Sequence, residues 1–393
     1  MVTGIVTARL LGVEGRGQTA LVFALGLFAS QLTFGGSLPI AIVKNIAVRH
    51  VAARDGLRSL ARRRFVLLFI PCLASAALMV FLQRSEPADE RYGLAAAVFV
   101  MVLQTIVFRV QMASFQGELA HLGRVGRMAV YGMLPQFLFT TAVSTAWVLD
   151  WDWGVFDVLI SNFVTSFIGL AIAFTGLAKP SRRLEDELDE SDLWRDARHS
   201  YVSSVRPIDS IGLDRILIGG VLGTAALGLY AAAIAVASLC HTVGGAFSVM
   251  VLPLVAQRHD DPAEQGVIIR KWLILTGATM VVVVGLVELI VAPVIRIAFG
   301  EEFVGAIECA RWLVLADGLL GFRKVLIAAL QGRNQASTAS WIELALTPVM
   351  ILAVVAAALN DNLPAIGMAM VVVGALSCTV LGLALRRGRK AVS

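Results

Sequence analysis

Charge is what this sequence has least of. Only 16% of its 393 residues are Asp, Glu, Lys or Arg, against roughly 25% in a soluble globular domain. The polar residues are bunched between long apolar runs, 58% of the chain is apolar, and the mean hydropathy is +0.80. Water is therefore not the main solvent of this chain, and the runs read as membrane spans. Period-two alternation is absent as well, which leaves helices rather than a barrel as the way to satisfy backbone groups in lipid. Cysteine is scarce: Cys72, Cys240, Cys309 and Cys378 are far apart, form no C-x-x-C, and have no histidine partners at metal spacing. They read as apolar packing thiols, and no metal or cofactor is expected. A P-loop, an H-E-x-x-H and a G-x-S-x-G are all missing, so ATP-driven transport and the common hydrolase chemistries lack their hardware, and no catalytic residue is assigned. The formal charge of +5 points to basic cytoplasmic loops in a membrane protein, not to nucleic acid.

Runs of about 20 apolar residues place spans near 19–43, 65–82, 93–115, 128–149 and 155–178. After the polar segment 179–200, six more fall near 201–222, 226–256, 272–299, 306–331, 338–359 and 364–385. The opening stub, Val2 to Leu11, is too short to cross about 30 Å of hydrocarbon and reads as the second half of a span. The expected architecture is all-α, with about twelve spans of which the first is incomplete. It divides into an N-terminal bundle over 1–178, a cytoplasmic linker over 179–200 and a C-terminal bundle over 201–393.

Loop charge agrees with that count. Segments 44–64, 116–127, 179–200, 257–271, 323–336 and 386–393 hold 24 Lys or Arg, while the alternate loops hold three, Arg16, Arg84 and Arg91. Strict alternation makes the first set cytoplasmic. The chain also repeats: Leu11-Gly12 to Gly17 and Leu222-Gly223 to Gly228 both read L-G-x-x-x-x-G. Each is followed by a long helix, a Gly-Gly pair and a Leu-Pro ending at Pro39 or Pro253. Recurrence after an even number of spans gives two six-helix bundles of one orientation, related by a pseudo-two-fold along the membrane normal. Gly219-x-x-x-Gly223 reads as close helix packing.

Ionisable residues inside spans mark a pathway, a pair or a snorkelling end. Arg109 lies in span three, Arg206, Asp209, Asp214 and Arg215 in span seven, Glu288 in span nine, Glu308, Arg311 and Asp317 in span ten, and Glu343 in the first turns of span eleven. Two readings fit span seven. Arg206 and Arg215, with Arg109 and Arg311, can present guanidinium to an anionic substrate while Asp209, Asp214, Asp317 and Glu288 orient them or couple an ion. Alternatively these are internal ion pairs that fix helix packing, with Arg109 and Glu343 snorkelling.

The run Thr7-Ala8-Arg9-Leu10-Leu11-Gly12-Val13-Glu14-Gly15-Arg16-Gly17 resembles the first-helix exit of the polysaccharide flippases. These are the O-antigen and exopolysaccharide translocases of the multidrug/oligosaccharidyl-lipid/polysaccharide exporter superfamily. Asp214-Arg215-Ile216-Leu217-Ile218-Gly219 with Leu222-Gly223 and Leu227-Gly228-Leu229-Tyr230 resembles that family's seventh and eighth helices, and Phe299-Gly300-Glu301-Glu302-Phe303 with Leu330-Gln331-Gly332 is a third match. The resemblance implies a multi-pass protein of the cytoplasmic membrane that flips a polyprenyl-pyrophosphate-linked oligosaccharide outward by alternating access. Glycosyltransferases and a glycan polymerase of the same pathway would be its partners. A cation-coupled drug exporter of the superfamily is the rival, and a glycan polymerase or ligase a more distant one. The longest external loop, Gln83 to Tyr92, is short for a catalytic loop.

Overall fold

The computed structural model describes residues 2–32, 37–39, 41–43, 65–84, 87–121, 125–175, 194–198, 201, 212–258, 261–360 and 362–390, and among them no strand occurs. The helices are α1 (Val2–Ser30), α2 (Phe65–Leu82), α3 (Ala88–His121), α4 (Val125–Val148), α5 (Val155–Thr175) and α6 (Leu213–Val221). They continue with α7 (Gly223–Ala256), α8 (Pro262–Val294), α9 (Ile307–Gly332), α10 (Ala336–Ala358) and α11 (Leu363–Lys390). A π-helical turn, Ile295–Phe299, and a 3-10 turn, Glu301–Ala306, join α8 to α9.

Six stretches among the described residues are long and apolar enough to cross a membrane: Ala88–Ala113, Val155–Ile172, Gly223–Ala256, Ala263–Phe299, Ala336–Ala358 and Leu363–Arg386. The chain is an all-α multi-pass membrane protein. Its surface agrees, since Leu289 and Val281 of α8 are 77% and 75% exposed in a position where only lipid makes such exposure stable.

By Cα proximity the described residues form two compact units. The C-terminal unit takes residues 2–20 together with 213–390, and the N-terminal unit takes residues 21–201 and Gly212. In the C-terminal unit α9 is central. Its buried side includes Cys309, Leu313, Val314, Ala316, Leu320 and Val325, and small residues let its neighbours approach closely. A Cβ on Gly244 of α7 would overlap the backbone of Gly321, and one on Gly367 of α11 would lie 2.6 Å from Cβ of Trp312. Cys240 and Cys309 are buried free thiols in this packing, as Cys72 is in α2, and Cys378 is half-buried.

A helix with five charged residues is thus one that protein encloses along much of its length. Arg323 and Glu343 form an ion pair at 2.8 Å with side chains 0% and 2% exposed. This corrects two expectations. Arg323 is an interior residue of α9 rather than part of a cytoplasmic loop, and Glu343 is buried against it rather than snorkelling. Intramembrane charge is tolerated where a partner offsets the loss of water, which this pair does for both ends.

The N-terminal unit packs α2 on α3, α4 on α5 and α3 on α5. Gly26 of α1 fits against Met101 of α3, and Gly169 of α5 against Pro135 of α4. Between α3 and α5 an apolar groove of about 350 Å³ is lined by Gly93, Val100, Met101, Phe156 and Phe163, with Gln104 donating to Asn162 at 3.3 Å. At the turn between α4 and α5 the rings of Trp151 and Trp153 are 6.0 Å apart.

Candidate functional site

The two L-G-x-x-x-x-G segments are not loops. Helix runs on both sides of Gly12, whose φ of 66° and ψ of −171° only glycine adopts without strain, and Gly223 with φ +85° plays the same part at the start of α7. At Gly12 the chain doubles back. The guanidinium of Arg16 lies 3.4 Å from where a Cβ on Gly4 would stand, whereas twelve residues of straight helix would span roughly 18 Å, beyond an arginine's reach. The second segment turns likewise, because Tyr230 Oη of α7 donates to Asp214 Oδ2 of α6 at 2.7 Å. Gly223 has open space where a side chain would point, so the expectation of close packing through Gly219-x-x-x-Gly223 fails there; the glycine serves the turn.

The two hairpins meet each other. A Cβ on Gly17 would overlap the carbonyl oxygen of Thr224, and a Cβ on Gly228 would overlap the carbonyl oxygen of Val13. Val13 and Thr224 both follow the turning glycine, and Gly17 and Gly228 both close the motif, so each contact is the other with the two copies exchanged. That reciprocity is what a two-fold relation between repeats requires. The third motif joins them. Arg9 donates from Nε to Ala298 O at 2.8 Å and from Nη2 to Ile297 O at 2.6 Å, while Gly12 faces Glu302 Oε2. Gly300, with φ +113°, lets the chain leave α8, and Phe299 and Phe303 on either side of it are buried with ring centroids 5.8 Å apart. Arg9 therefore covers carbonyls that the end of the helix leaves unbonded, where the macrodipole favours a cation. Arg9→Met is expected to cost about 1 kcal/mol, discounted for exposure, and to lower the melting temperature of purified protein by a few degrees, with Arg9→Lys intermediate.

Among the sequence-predicted residues, Arg215 is half-buried on α6 and its Nε is buried without a hydrogen-bond partner. Its neighbour is one that loop charge places in an external loop. Arg16 on α1 lies within Coulombic reach of Arg215, and its Nε is likewise buried without a hydrogen-bond partner. Asp214, next to Arg215 in the chain, is engaged by Tyr230. Arg311 and Glu288, expected in separate roles, pair with each other at 3.2 Å. Asp317 is half-buried on α9, Arg109 is half-buried on α3 of the N-terminal unit, and Arg206 and Asp209 lie outside the described residues.

The sequence holds a signal for these pairs that hydropathy does not use. In an antiparallel helical hairpin, residues equidistant from the turn face one another. Arg323 and Glu343 each stand ten residues from Arg333, in the turn between α9 and α10. Glu288 and Arg311 stand twelve before and eleven after Gly300, and Asp214 and Tyr230 each stand eight from Leu222.

The fold has close counterparts among solved structures. A multidrug resistance MATE family transporter of the MOP superfamily in an inward-facing conformation superposes with a TM-score of 0.76 at 15% identity, covering 99% of this chain and 93% of that one. The lipid II flippase MurJ, in an inward closed conformation, gives 0.73 at 13% identity, covering 98% and 84%. An outward-facing MATE family transporter gives 0.59 at 15% identity, covering 99% and 91%. No curated protein matches by sequence. A family model described as "Polysaccharide biosynthesis protein" matches residues 6–308, a stretch that takes in all three turning glycines and both hairpins, and the chain belongs to that family.

Proposed function

We propose that this protein is a flippase that carries a polyprenyl-pyrophosphate-linked oligosaccharide from the cytoplasmic to the external leaflet for cell-surface polysaccharide synthesis. The observation that carries the reading is the family match over residues 6–308 on a two-unit helical membrane fold of the kind MurJ has. A glycan head with a pyrophosphate cannot cross hydrocarbon unaided. Alternating access of two helical bundles, broadly residues 1–178 and 201–393 joined by a linker, would let the head pass while the prenyl tail stays in lipid. In this reading the protein sits in the cytoplasmic membrane, moves its substrate without converting it, and works beside the glycosyltransferases and glycan polymerase that make and use it.

Arg215, Arg206, Arg109 and Arg311 are the proposed contacts to the anion, with Asp209, Asp214, Asp317 and Glu288 orienting them or coupling an ion. Arg215 has the strongest case of those in the described residues, because Arg311 already has Glu288. Drug export, which the MATE likeness would allow, is less well supported. In the described helices of the N-terminal unit the carboxylates lie towards helix ends, as Asp89, Glu90 and Asp157 do. The test is glycan-lipid translocation in proteoliposomes or surface glycan in a strain lacking the chromosomal copy. Arg215→Gln should reduce translocation at least tenfold at normal protein level, and Arg311→Gln should have a smaller effect. Full translocation by Arg215→Gln removes that residue from the mechanism. Absence of translocation by the parent protein, with drug efflux instead, would replace the flippase reading.

A further inference from the structure

The meeting of the two hairpins brings two arginines within Coulombic reach of each other, and neither is paired with a described carboxylate. Arg16 adjoins Gly17, which presses on the carbonyl of Thr224, and Arg215 lies on the other hairpin, whose Gly228 presses on the carbonyl of Val13. No hydrogen bond or ion pair joins either guanidinium to a described residue, and each keeps a buried Nε unbonded. Asp214 points its Oδ2 at Tyr230, Glu14 is exposed on α1, and Glu302 lies beside Gly12. Two like charges in a partly buried place repel, and guanidinium does not shed its proton to relieve this. What relieves it is an anion with oxygens enough for two planar forks, and a phosphate or pyrophosphate group is that ligand.

We propose that the reciprocal glycine contact is a clasp that assembles Arg16 and Arg215 into one anion subsite, so that a pyrophosphate group bound there holds the two hairpins together. With the subsite empty, repulsion between the arginines works against the clasp; with it filled, the anion ties α1 to α6. Each contact is glycine against bare carbonyl, with no side chains to unlock, so the hairpins can part and rejoin without breaking a hydrogen bond there. That the anion belongs to a lipid-linked glycan rests on the flippase reading. The subsite and clasp do not.

Thr224 is the reporter, since it is 7% exposed and its carbonyl is the one Gly17 presses on. The four native cysteines are replaced by alanine, Thr224→Cys is introduced in the full chain, and the protein is placed in lipid nanodiscs and labelled with a bulky maleimide. Inorganic pyrophosphate should slow labelling at least fivefold. Arg16→Gln or Arg215→Gln should abolish that protection, and Gly228→Leu should label fast whether or not pyrophosphate is present. Polyprenyl pyrophosphate in the nanodisc, protecting at far lower concentration than the inorganic ion while polyprenol does nothing, would assign the anion to a lipid headgroup; equal potency would assign it to a free anion. The proposal is overturned if pyrophosphate leaves labelling of the parent unchanged, or if protection survives in the Arg16→Gln/Arg215→Gln double variant. The arginine arms decide the matter even if Gly228→Leu does not fold. Protection without any glycan translocation would retire the flippase reading and keep the clasp, and translocation without protection would do the reverse.

Discussion

Glu343→Gln should unfold or strand this protein more readily than any surface change. Removing one partner of a fully buried ion pair leaves an uncompensated charge, which costs about 3–5 kcal/mol in measured cases. Arg323 is 0% exposed and its carboxylate is 2.8 Å away, so no water can take the place of Glu343 without opening α9 from α10. In detergent or nanodiscs the variant is expected to lose most of its monodisperse fraction and to melt well below the parent. The double variant Arg323→Met/Glu343→Leu removes both charges at similar volume and should recover more than half of the loss, because an apolar pair no longer has to be desolvated. A double variant as unstable as the single one would show that the pair contributes hydrogen bonds that apolar packing does not replace.

Gly244→Val is the second large effect. A Cβ at this position would overlap the backbone of Gly321, and backbone cannot rotate aside as a side chain can. Overpacking of this sort typically costs about 1–3 kcal/mol and more where nothing yields. Since α7 and α9 share the most extensive helix contact in the C-terminal unit, the strain falls on the unit's centre. Thermal unfolding and yield should both drop sharply. The neighbouring Gly245→Ala is the control: its Cβ would meet only Lys324 Nζ at 3.8 Å, and it should be neutral within about 0.5 kcal/mol. Equal damage from the two would move the explanation from close helix approach to helix propensity.

Helix positions are largely legible in the sequence, and the departures have a common cause. The expected spans 226–256, 306–331 and 338–359 correspond to Gly223–Ala256, Ile307–Gly332 and Ala336–Ala358. Hydropathy ends a span where polar residues begin, but a helix ends where its backbone is capped. Thus α8 starts ten residues before the expected 272, because Asp261 accepts from the backbone N–H of Ala263 and Glu264 and Pro262 occupies the first turn. Arg323 reads as loop for the same reason: two adjacent cations at the end of an apolar run imitate a cytoplasmic edge. Its partner twenty residues later is visible only once the turn at Arg333 is known. The repeat is legible as letters, and its meaning is not. Nothing in L-G-x-x-x-x-G says that the last glycine of each copy presses on the carbonyl of the other, or that Arg16 and Arg215 become neighbours as a result.

Arg9 finds its acceptors 289 positions along the chain, at Ala298. Synthesis proceeds at about 5–20 residues per second, so roughly 15–60 s separate the emergence of that arginine from the carbonyls that receive it. Until α7 is made, the Gly17 face of the first hairpin lacks the backbone that it meets in the folded chain. Residues 2–20 are thus made well before the segments they pack against, and a C-terminal unit synthesised as a separate fragment would have a gap where they belong.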